Sequence, residues 1–76
     1  MNESTRVVIR REFRKLLPAD YDRDFDARPL AELGVDSLDF FETIMILEED
    51  YGIVIPIEKL ESSVTVDDLV AVSETQ

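Results

Sequence analysis

The stretch DSLDFFETIMILEEDYG, residues 36–52, reads as one long helix with a start signal and a stop signal. Asp36 is a side-chain acceptor of the kind that caps a helix N-terminus. Asp39 stands three residues later, in a capping-box-like position where its charge suits the positive end of the helix. The helix is expected to run from Ser37 to about Tyr51, with Gly52 as its C-terminal glycine. Its apolar residues exceed what one face can hold. Phe40, Ile44, Leu47 and Tyr51 follow one stripe, and Leu38, Phe41 and Met45 follow a second, offset by roughly 100°. One stripe builds a core. The other lies beside Glu42, Glu48 and Glu49, and reads either as an exposed protein-binding strip or as a surface packed under a neighbouring loop.

Ser37 falls in the first turn, where unpaired backbone N–H groups and the helix dipole favour a negatively charged group. Asp36 already supplies the cap, so the Ser37 hydroxyl is left to point outward and be modified. The flanking carboxylates oppose an isolated phosphate. A modified serine here suits a site that a basic, metal-carrying enzyme covers.

Towards the N-terminus, Ile9, Phe13, Leu16 and Leu17 mark an amphipathic helix from about Thr5 to Leu17, stopped by Pro18. A long polar connection, PADYDRDFDARPLAELG, follows, in which Leu30 and Leu33 can dip into a core. Towards the C-terminus, Pro56 opens a short helical turn through about Glu61, and Thr65 with Asp68 reads as a second, imperfect capping box before a last short helix carrying Val66, Leu69 and Val70. The expected fold is all-α: three main helices and one short helix in a small bundle with a long first loop, a single domain over residues 1–76.

The composition excludes several chemistries. There is no cysteine and no histidine, which removes disulfides, thiolate nucleophiles, the usual zinc ligands and the commonest general base. The net charge of -10 disfavours nucleic acid and anionic membranes and favours basic protein surfaces. Beyond Arg28 the only basic residue is Lys59, so the second half concentrates negative field around Ser37. The first residues lack a signal-peptide core and no segment approaches the roughly 18 apolar residues of a membrane span, so a cytoplasmic, soluble monomer is expected.

Through LAELGVDSLDFFETIMILEEDYGIVIP the chain strongly resembles the acyl carrier proteins, in which a DSL serine opens the second helix and bears 4′-phosphopantetheine. The acidic run, the aromatic and the IP that follow, and the TV before the last helix, match in spacing. The match is weakest over residues 1–28. The resemblance implies that Ser37 is the attachment point, with Asp36 helping a phosphopantetheinyl transferase bind metal and substrate. It implies a recognition face of Leu38, Asp39, Phe41, Glu42, Met45, Glu48 and Glu49 for enzymes with basic docking surfaces. The protein would catalyse nothing. A transferase would move the group from coenzyme A to the serine, and its thiol would then hold acyl groups as thioesters for fatty acid, polyketide or related biosynthesis.

Two departures carry expectations of their own. Phe40 stands where fatty acid carriers often have a smaller residue, which points to short, bulky or polar cargo. Arg10, Arg11, Arg14, Lys15, Arg23 and Arg28 make the first helix and loop more basic than in the commonest fatty acid carriers, which points to a dedicated pathway. Three competing readings remain. Asp20, Asp22, Asp24 and Asp26 alternate like the first ligands of a calcium loop, but the sixth position from Asp20 is Phe25 and the twelfth Ala31. An acidic adaptor with an unmodified Ser37 is the second. An enzyme using Asp36 and Asp39 is the third, disfavoured because cap carboxylates on a small convex bundle lack an enclosing cleft.

Overall fold

The computed structural model describes residues 4–56 and 64–74 and places among them three α-helices: α1 at Thr5–Arg14, α2 at Ser37–Tyr51 and α3 at Val66–Glu74. No strand occurs among the described residues. The short helix expected between Pro56 and Glu61 lies outside them. The short element that is described is a 3-10 turn at Leu30–Leu33, inside the stretch expected to be loop. Gly34 closes that turn at φ 91°, a left-handed conformation that a side chain resists.

Ser4 caps α1, its Oγ accepting from the Val7 N–H at 3.2 Å. The helix stops at Arg14, short of the expected Leu17. Pro18 disfavours helical backbone at the residue before it, so the chain tightens into bonds from Leu16 N–H to the Phe13 carbonyl and from Leu17 N–H to the Arg14 carbonyl. Leu17 is buried all the same, while Leu16 reaches only the edge of the core and Val8 takes a core position instead. The Arg14 guanidinium secures the following turn by donating to the carbonyls of Pro18, Ala19 and Tyr21.

The long connection is held on both sides. Phe25, Leu30 and Val35 are buried in the core. Leu30 N–H donates to the Val64 carbonyl and Asp67 N–H to the Asp26 carbonyl, so the loop is bonded to the entry of α3. Arg6 bridges Asp26 and Asp67, and Arg10 reaches Asp24 and Asp26. The hydrogen bonds from Arg6 to Asp67 and then Asp26 raise its pKa further above its ordinary value. Arg10 Nε lies 2.6 Å from Asp26 Oδ1 but is not aligned for a hydrogen bond, so that contact acts as an ion pair.

Before α3, Thr65 and Asp68 complete a reciprocal capping box: Thr65 N–H donates to Asp68 Oδ2 and Asp68 N–H to Thr65 Oγ1, both at 3.0 Å. Replacing Thr65 by Ala is expected to destabilise the domain by about 1 kcal/mol, read as a lower urea midpoint at unchanged slope.

Helix α1 packs against both α2 and α3. Its inner face buries Ile9 and Phe13, and the Phe13 ring lies 5.8 Å from that of Phe40 on α2. The same face buries a carboxylate, Glu12, at 6 % exposure. Glu12 accepts from the Tyr51 hydroxyl at 2.9 Å and from Lys15 Nζ at 3.0 Å. Burial pushes its pKa up, but the hydrogen bonds from Lys15 and Tyr51, with the nearby charges of Lys15 and Arg11, outweigh that and hold it below its ordinary value. A lowered folded-state value means that the charged form adds stability above the unfolded pKa of 4.5, lost as pH falls through the folded value. Glu12→Gln is therefore expected to cost about 1–3 kcal/mol near pH 7. Urea titrations of parent and variant at several pH values should show that gap narrowing only below the unfolded pKa.

Candidate functional site

Helix α2 begins as its sequence dictates. Asp36 is extended, at φ -85° and ψ 173°; its Oδ1 accepts from the Asp39 N–H at 2.8 Å and its carbonyl accepts from the Phe40 N–H at 2.9 Å. Ser37 is the first helical residue and is exposed. Because Asp36 does the capping, the Ser37 hydroxyl makes no hydrogen bond to the described residues. At the C-terminal end Gly52, at φ 70°, closes the helix with its N–H on the Glu48 carbonyl.

The two apolar stripes separate as the spacing requires. Phe40, Ile44 and Leu47 are at most 1 % exposed and face the core, joined by Thr43, which shares their face through its i+3 and i+4 spacing to Phe40 and Leu47. Leu38 is 68 % exposed and Met45 51 %, so neither packs under the first loop. Phe41 stands between the two sets, half-buried and edge-on to Phe40 at 5.3 Å. Glu42, Glu48 and Glu49 are exposed around the strip, and Asp39 is half-buried beside Ser37. The candidate residues thus share one end and one outer face of a single helix.

Two residues depart from the two-stripe pattern. Tyr51 is 40 % exposed rather than core, because its hydroxyl reaches Glu12 and its ring lies under the Arg11 guanidinium. Ile46, which neither stripe includes, is 38 % exposed and lies about 100° past Met45, on the far side of Glu42 and Glu49.

No basic residue occurs between Arg28 and Lys59, so the chain segment that carries Ser37 is charged by acids only. The basic residues of α1 lie elsewhere and are engaged internally: Arg6 and Arg10 with aspartates, Arg14 with carbonyls, Lys15 with Glu12. They secure the loop and the helix packing, and this structural use accounts for Arg6, Arg10, Arg14 and Lys15. Asp24 and Asp26 are correspondingly turned onto arginines rather than gathered as cation ligands. Among the described residues no group of three or more His, Cys, Asp or Glu side chains converges as a metal site.

Comparison with known proteins adds an independent line. Residues 7–72 match the family model described as "Phosphopantetheine attachment site". Among curated proteins, the chain is similar to the acyl carrier protein of Helicobacter acinonychis, with 51 % identity over 45 residues, covering 59 % of this chain and 58 % of the relative. The acyl carrier protein of Campylobacter hominis is 41 % identical over 49 residues, covering 64 % and 62 %, and that of Wolinella succinogenes 44 % identical over 50 residues, covering 66 % of each. The aligned chain spans less than two thirds of the length of these relatives. No solved structure matches significantly. With a helical bundle, an exposed serine at the start of α2 and a family match over most of its length, the chain belongs to the phosphopantetheine-attachment family.

Proposed function

We propose that this chain is an acyl carrier, a single carrier domain on which Ser37 bears 4′-phosphopantetheine. The observation that carries the reading is an exposed hydroxyl at the first residue of α2, left free because Asp36 caps the helix. The site suits the group: Ser37 offers an oxygen for a phosphodiester, and the surface is open enough for a transferase to cover it. Bound there, the group supplies a thiol that this cysteine-free chain lacks, able to hold acyl groups as thioesters.

The chain's own residues present and recognise; they do not catalyse. Asp36 holds the helix start and offers its second carboxylate oxygen beside Ser37 to the transferase's metal and substrate. Leu38, Phe41 and Met45 offer apolar contact, with Asp39, Glu42, Glu48 and Glu49 around them. That arrangement fits the basic docking surfaces of a phosphopantetheinyl transferase and of acyl-loading and acyl-processing enzymes. No helix among the described residues is long and apolar enough to cross a membrane. The carrier is proposed to serve cytoplasmic enzymes as a monomer.

The cargo is proposed to be short, bulky or polar. Phe40 is fully buried, with Phe13 and Phe41 at ring distances of 5.8 and 5.3 Å, so the interior beneath α2 is occupied by rings rather than open to a long alkyl chain. A long acyl chain loaded on the holo form should lack NMR contacts to the Phe13 and Phe40 rings; contacts along its whole length would overturn the cargo assignment.

The direct test is intact-protein mass spectrometry after incubation with coenzyme A, magnesium and a broad-specificity phosphopantetheinyl transferase. One phosphopantetheine increment is expected. No increment on folded chain, with a known carrier modified in the same tube, would leave an acidic binding adaptor as the function.

A further inference from the structure

We infer a second interaction surface, opposite in chemistry to the first: a cleft on the outer face of α1 that receives an acidic segment of a partner protein carrying one apolar side chain. The cleft holds about 220 Å³ and is lined by Val7, Arg10, Arg11, Arg14 and Phe25. Its floor is the edge of the buried Phe25 ring, covered by the Arg10 guanidinium whose carbon lies 5.4 Å from the ring centre, and its exposed apolar part is the Val7 side chain, 48 % exposed on a helix whose other apolar residues turn inward. The space suits one or two side chains, not a folded ligand.

Its charge points to an acidic occupant. Among the described residues Arg14 donates to three neutral carbonyls and pairs with no carboxylate. Arg10 keeps its 2.6 Å ion pair with Asp26; its second pair, with Asp24, is 3.3 Å long and the Asp24 side chain is 95 % exposed. Pairs of that kind contribute about 0–1 kcal/mol, so an incoming carboxylate can replace Asp24 at little cost. Arg11 adds a guanidinium on the same rim, where it also meets Tyr51.

The acids nearest the cleft, Asp24 and Asp26, are held by Arg10 and Arg6, and the acids around Ser37 are remote from it. Arg11 contacts Tyr51 at the last residue of α2, and the helix places Ser37 about 20 Å away. Screening at physiological salt acts over about 8 Å, so the acids around Ser37 contribute little field at the cleft. The two surfaces can be occupied together, and the cleft does not depend on modification of Ser37.

The test is an amide NMR titration of the full chain with three probes: a peptide alternating glutamate and glycine around one central leucine, the same peptide with lysine for glutamate, and a short single-stranded oligothymidine. The acidic peptide is expected to shift the amides of Val7, Arg11, Arg14 and Phe25, to leave Leu38 to Met45 unmoved, and to weaken with added salt. Val7→Asp and Arg11→Gln should each weaken it about tenfold. Unchanged signals from Leu38 to Met45, away from the Arg11–Tyr51 contact, would show that each variant is folded; Arg14 is left intact because it holds the turn after α1. Absence of those shifts, equal shifts with the lysine peptide, or no loss in either variant would overturn the proposal. Tighter binding of the oligonucleotide would reassign the cleft to phosphate and overturn it too.

Discussion

Ser37→Ala is expected to abolish phosphopantetheine attachment completely while leaving the fold intact, a separation that few other substitutions in this chain would produce. The loss follows from the chemistry: alanine has no oxygen to form the phosphodiester. The intact fold follows from the geometry. Ser37 is exposed, its hydroxyl makes no bond to the described residues, and the orphan N–H of Asp39 is satisfied by Asp36 rather than by Ser37. Surface changes of this kind usually stay within about 0.5 kcal/mol, and alanine is the better helix former. Mass spectrometry of both proteins in one transferase reaction, with far-UV circular dichroism and urea titration alongside, checks both halves. An increment of equal size on the alanine variant would place the attachment elsewhere. Loss of the helical signal would mean that Ser37 has a structural part not visible in its contacts.

The second large effect belongs to the core. Phe40→Ala should cost about 3–5 kcal/mol, a large part of the 5–15 kcal/mol typical of a folded domain, and a chain of 76 residues sits at the low end of what one core can supply. Phe40 is fully buried and joins the rings of Phe13 and Phe41, so truncation leaves a cavity bounded by two helices that cannot both close over it. Met45→Ala, five residues along the same helix but half-exposed, should stay within about 0.5 kcal/mol. Urea titration of the two variants separates the faces of α2 quantitatively. Comparable losses at both positions would contradict the assignment of Met45 to the outer face. Because Phe13 and Phe40 share a contact, their alanine effects should not add.

Much of this was legible in residues 34–56 and 65–68, because the signals there are local. A cap, a 3.6-residue period and a glycine at the helix end each act over four or five residues. The start of α2, its closure at Gly52, its two apolar stripes and the Thr65–Asp68 box could accordingly be read in advance, while the exposure of the Leu38 stripe was decided by the fold. So could the exposure of Ser37, since the cap was already assigned to Asp36.

What stayed hidden depends on residues distant in sequence. The basic residues of α1 look like a charged face in the sequence; only folding brings Arg6 to Asp26 and Asp67, 20 and 61 positions away, and Arg10 to Asp24. Glu12 looks like a solvated acid until Tyr51, 39 residues on, covers it and gives it a hydrogen bond. The Leu30–Leu33 turn is stabilised by burial of Leu30 and by its bond to Val64, neither of which leaves a mark in the local pattern. The sequence by itself therefore determined the helical bundle, the capped start of α2 and the serine presented there, because helix signals are short-range. Tertiary structure decided which charges are neutralised, which acid is buried and where a second cleft opens, because ion pairs and packing join segments whose order along the chain carries no trace of their meeting.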